Sequence, residues 1–146
     1  MAFKNIPEEK WAEVIDLICD ITSVIDEGDT LVADEYTFDL HCMLDDLERA
    51  HGAQPIIIST KADFTDDIDE QIGLYEQAIN MAEQVNDPIC IVQSAESLAQ
   101  LYIEEIADPE KGTAALTDLK KYVAQYGDEY LCGELAELEQ VLHEIS

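Results

Sequence analysis

Cations are what this chain has least of. Seven lysines and arginines stand against 34 acids in 146 residues, a formal net charge of -27, and Arg49 is the lone arginine. Gripping a nucleic-acid backbone takes clustered Lys and Arg, so no nucleic-acid ligand is expected. The same field repels anionic lipid, so no membrane partner is expected either. Long apolar runs are missing, which leaves no candidate for a membrane span. The opening MAFKNIPEEKW has no apolar core and no small-residue cleavage pattern, so no secretory leader is expected. Glycine-rich phosphate loops, G-x-S-x-G and CxxC motifs are absent from the sequence, which removes the motif-based routes to nucleotide, hydrolase and thiol-redox chemistry. Four cysteines, Cys19, Cys42, Cys90 and Cys132, are far apart and sit in helical patterns. They are expected as reduced, buried thiols of a cytoplasmic protein.

What is present is apolar material in helical register. Hydrophobic residues make up 47% of the chain, enough to separate it from charged disordered sequences, and the length suits one domain over residues 1–146. After Pro7, one stripe holds Trp11, Ile15, Ile18 and Ile25 and the next Val14, Leu17, Ile21 and Val24. So broad an apolar face predicts a helix packed on two sides. Glu9, Glu13, Asp16 and Asp20 form its polar face, and the helix is expected to end near Gly28. A second helix is expected over about 33–51, with Tyr36, Leu40, Met43, Leu44 and Leu47 inward and Gly52 and Pro55 as stop signals. The β-branched QPIIIST that follows cannot make a sheet alone. It reads as an irregular apolar connector, with strand pairing across a homodimer as the alternative.

A third helix is expected to start near Thr65 as N-cap and to present Ile68, Ile72, Tyr75, Ile79 and Ala82 inward. A fourth runs over roughly 89–106, a fifth to about Tyr126 and a sixth over 128–145. The expected fold is therefore all-α, about six helices in antiparallel hairpins, stacked or bundled. A shift of about 41 residues lays the third helix on the fifth with apolar positions in agreement, as helical-hairpin repeats do.

The segments LYEQAINMAEQVNDP and AESLAQLYIEEIADPEKGTAALTDLKKY resemble degenerate tetratricopeptide hairpins. LAQLY at 98–102, the helix ends ND and AD, and small Ala78, Ala82, Ala95 and Ala99 carry the likeness. No full consensus repeat is present, so the resemblance implies stacked right-handed hairpins and not a peptide groove.

Catalytic constellations do not assemble from the sequence. DFTDDIDE lacks the alternating carboxylates and central glycine of an EF-hand. Glu48 and His51 make one Glu-x-x-His pair, where a di-iron bundle needs two. His41 and Cys42 are adjacent and so point in different directions on a helix, and His143 follows Glu139 by one turn, as a surface pair would. The expectation is no catalytic residue, no metal and no cofactor.

Charge is then the informative feature. Residues 61–70, KADFTDDIDE, concentrate Asp63, Asp66, Asp67, Asp69 and Glu70, and Glu76 follows on the same helix. Acids in a first helical turn suit the dipole, but one or two would suffice, so these six are expected to form part of a face for a basic protein. Salt adaptation is the competing account, set against by the Ile- and Leu-rich composition and by six lysines to one arginine. In size, acidity and helical build the chain resembles small immunity proteins of bacterial toxin systems. That resemblance implies a toxin domain as partner, its cationic groove occluded by carboxylates standing in for phosphates. A nucleic-acid mimic against a DNA-binding enzyme, a tetratricopeptide-like adaptor or chaperone, and a structural subunit are the other readings.

Overall fold

The computed structural model describes residues 6–126 and 132–146. Among them the chain is all helical, with seven α-helices and no strand. The helices are α1 (Glu8–Asp26), α2 (Thr30–His51), α3 (Pro55–Asp63), α4 (Ile68–Val85), α5 (Pro88–Gln100), α6 (Pro109–Tyr126) and α7 (Cys132–Ile145). A π-helical turn, Leu101–Glu105, prolongs α5. None of the helices is long and apolar enough to cross a membrane.

Local chemistry explains most of the boundaries. Gly28, at φ +81°, closes α1, and Asp29 beside it opens α2 by accepting from the Val32 amide. Two later junctions repeat one device. Asn86 takes a left-handed φ of 56°, Asp87 caps α5 through the Cys90 amide, and Pro88 fills the first turn. Ala107 takes φ 55°, Asp108 accepts from the Glu110 and Lys111 amides, and Pro109 starts α6. Proline suits the first turn because its missing N–H has no partner there in any helix.

Each helix packs against the next in sequence. One cluster joins α1, α2 and the start of α3 through Trp11, Val14, Ile21, Leu40, Leu44 and Ile57. Another joins α5, the π-turn, α6 and α7 through Ala99, Ile103, Leu116, Leu119 and Leu138. Small Ala78 and Ala82 are fully buried in α4.

Several sequence expectations need correction. QPIIIST is not an irregular connector: Pro55–Asp63 is helical, started by proline at its first position. Ile57, Ile58 and Ala62 are buried, so tertiary burial overrides the weak helix propensity of the isoleucines. Thr65 does not cap α4; its hydroxyl donates to the Lys61 carbonyl and closes α3, while Asp67 accepts from the Glu70 amide and caps α4. Ile15 and Ile25 of the α1 stripe are exposed, as is Ile68 at the start of α4. Among the thiols, Cys90 is buried but Cys19 and Cys42 are exposed, because each lies off the stripe that its helix buries. The expected helix start at Asp128 and the Cys132 thiol lie outside the described residues.

Candidate functional site: two carboxylate clefts

The acids of the 63–70 segment serve several separate purposes. Asp67 is a helix cap, and Asp69 and Glu70 stand in the first turn of α4, where the helix dipole favours them. Asp66, Asp67, Asp69 and Glu70 are exposed. Asp63 differs. It ends α3, and its Oδ1 accepts a 2.5 Å hydrogen bond from the hydroxyl of Tyr75 on α4. Although Asp63 has an exposed side, burial of its carboxyl against α4 raises it above the usual carboxylate range, and the Tyr75 bond offsets this in part. The Tyr75 ring is buried; burial, donation to Asp63 and the Asp63 charge raise its hydroxyl above the usual phenol range.

Asp63 and Tyr75 belong to a cleft of about 290 Å³ between α3, α4 and the end of α5. Ser97, Gln100, Glu104 and Glu105 complete its polar wall. The two glutamates come from the π-turn, where the Ile106 amide bonds back to the Leu101 carbonyl at 2.8 Å. One extra residue in that turn shifts the helix register, and the chain keeps Leu101 and Ile103 buried across it.

Glu76 lies elsewhere. It lines a second cleft, of about 190 Å³, between α4 and α6 over a floor of α5. Glu76, Glu83 and Asp118 surround an apolar base that includes Ile79 and Leu98. Tyr122 crosses the cleft and donates to Glu83 Oε1 at 2.8 Å. Burial, that bond and the neighbouring charges push its hydroxyl up to about 12. The structure therefore separates the six sequence-predicted acids: Asp63 faces one cleft, Glu76 another, and the four between them stand on the exposed rim of α4.

Sequence reasoning missed Glu83, Glu104, Glu105 and Asp118, which were indistinguishable among 34 acids. Their common property is position, since neither cleft has a cation in its lining. Several cations are engaged elsewhere. Lys61 bridges to Asp45 at 2.7 Å and Glu48 at 3.5 Å, Arg49 meets Asp46, Lys120 meets Glu139, and Lys111 lies over the Tyr102 ring. Glu48 is thus an ion-pair partner of Lys61. His41 bonds through Nε2 to the Phe64 carbonyl at 2.8 Å. Among the described residues, no three His, Cys, Asp or Glu side chains converge as metal ligands would.

No protein family matches the chain, and no characterised protein or solved structure matches it significantly.

Proposed function

We propose that the chain is an acidic protein-binding inhibitor, an immunity protein that covers the cationic groove of a basic, nuclease-type toxin domain. The observation that carries this reading is the pair of clefts, each lined by three carboxylates and by no cation. A guanidinium or ammonium group entering either cleft meets carboxylates that no cation of the lining neutralises, two of them already held in place by tyrosine hydroxyls. Arrayed carboxylates of this kind can replace the phosphates that a nuclease groove is built to hold. Charge of this sign and density speeds encounter with a basic partner and rejects acidic ones. The test is a titration of purified chain against a panel of cationic nuclease domains. Inhibition of cleavage by at least one, with an association rate that falls as salt is raised, is the expected result. Failure to associate with any of them at low salt overturns the reading.

A second reading, a tetratricopeptide-like adaptor, draws on the recurrence of left-handed residue, capping Asp and Pro at 86–88 and 107–109. An adaptor would bind unfolded peptides as well as folded domains, so binding that persists after the partner is denatured favours it.

A further inference from the structure

The largest exposed apolar side chains on α2 do not face its core. Leu31 is 77% and Phe38 69% exposed, and they stand two turns apart on one line of the helix. Cys42, also exposed, follows Phe38 by one turn. Cys42 also lines a groove of about 480 Å³ between α1 and α2, whose apolar lining includes Met43, Leu47 and Ala50. A ridge of Leu31 and Phe38 therefore leads, through Cys42, to a groove with an apolar base and a charged rim. An apolar patch rimmed by polar residues marks an interaction surface.

The rim decides what would cover it. Glu13, Asp39 and Asp46 line the groove, and Glu35 stands one turn from Leu31 and from Asp39. Lys10 and His51 also line the groove; Lys10 is tied to Glu13 at 3.8 Å and the nearby Arg49 to Asp46 at 3.2 Å, both in exposed pairs. Exposed pairs of this kind contribute little to stability, so a partner's cations can take over these acids at little cost. A second copy of the chain would bring the same acids against themselves and add its own net charge of -27.

We propose that the solvent face of α2, from Leu31 through Phe38 and Cys42 into the α1–α2 groove, is a docking surface for a basic amphipathic helix of the partner. It rests on the reading that the partner is a basic protein, and adds to it a second contact away from the carboxylate clefts. Apolar side chains spaced at i, i+3, i+4 and i+7 enter the groove and cover Phe38, and flanking Lys or Arg meet Glu13, Asp39 and Asp46.

Two synthetic 18-residue peptides of identical Leu and Lys content provide the test. One places Leu at i, i+3, i+4 and i+7; its isomer scatters them around the helix. The readout is alkylation of native thiols, resolved by peptide mass. Cys42 edges the groove, whereas Cys19, two and a half turns beyond Lys10, lies on the opposite side of α1 and serves as control. The amphipathic isomer is expected to slow Cys42 alkylation about tenfold while leaving Cys19 unchanged, and Phe38→Ser is expected to weaken that peptide about tenfold. Glu83→Gln with Asp118→Asn, in the α4–α6 cleft, should leave Cys42 protection intact. Equal protection by both isomers, or no effect of Phe38→Ser, overturns the docking surface but leaves the charge-based reading standing. Binding of neither peptide at low salt overturns both. Cys42 protection that grows with protein concentration in the absence of peptide would make a second copy the occupant, and overturns the proposal.

Discussion

Asp63 shows how one carboxylate among many can have a separate role. Its folded form holds a proton more readily than its unfolded form, because burial against α4 disfavours the charge. The native state therefore binds more protons than the unfolded chain just above the ordinary carboxylate range. Stability from this group is present below that range and is lost as pH rises through the raised value. Asp63→Asn keeps an oxygen that can accept from Tyr75 and cannot titrate. Relative to this variant, the parent protein should lose stability as pH rises from the ordinary carboxylate range towards neutrality, read by denaturant melts at each pH. A parent that gained on the variant over that interval would show that the Tyr75 bond outweighs burial. The thiols give a second residue-scale expectation. Cys19 and Cys42 should react with a thiol reagent in the native protein, while Cys90, buried and with its thiol raised by burial, should react only on unfolding. The sequence could place Tyr75 and the cysteines on helices, but it left Asp63 ahead of the helix expected from Thr65. It could not say which side of a stripe each would occupy, because the partner helix decides that.

At the scale of elements, helix starts were readable where a capping side chain and a proline coincide, as at Asp87–Pro88 and Asp108–Pro109. They were not readable at α3, where three consecutive isoleucines argue against helix and only burial between neighbours overrules them. The π-turn left no sequence signature at all, since one inserted residue changes register without changing composition. Its packing makes two glycines behave oppositely. A Cβ at Gly112 would lie 2.9 Å from Ile103 Cγ1 and 3.2 Å from Leu142 Cδ1, and Ile103 is fully buried. A Cβ at Gly73 in α4 would meet nothing within 4 Å. Gly73→Ala should stabilise by about 0.5–1 kcal/mol through helix propensity. Gly112→Ala gains the same term, but overpacking of about 1–3 kcal/mol outweighs it. Chemical denaturation of the two variants should move the midpoint in opposite directions.

For the whole molecule, the dominant quantity is the unbalanced charge. Repulsion among so many exposed carboxylates opposes compaction, and its reach is about 10 Å at 0.1 M salt. Raising sodium chloride from low to moderate concentration should raise Tm by several degrees, whereas an uncharged osmolyte of equal osmolarity should have a smaller effect. The helical class and the acidic surface were legible in the sequence because both are sums over many residues. The clefts were not, because Glu76, Glu83 and Asp118 meet only after α4 and α6 are laid over α5. The face assigned to residues 63–70 was divided for the same reason, with Asp67 taken by a helix start and Asp63 by a tyrosine.

The hairpin of α1 and α2 reaches the remaining helices chiefly through α3, where Ile57 enters its cluster. Every other helix is held by neighbours on both sides in the chain except α7 at the far end. An arrangement with such a narrow waist opens in parts before it opens as a whole. Backbone amides of α1 and α2 should form one hydrogen-exchange class with a common opening free energy, below that of α4 and α5. Ile57→Ala, which empties the waist without touching either helix of the hairpin, should lower protection across α1 and α2 together and leave the α6 amides nearly unchanged. Uniform loss of protection along the chain would instead mean that the helices open as a single cooperative unit.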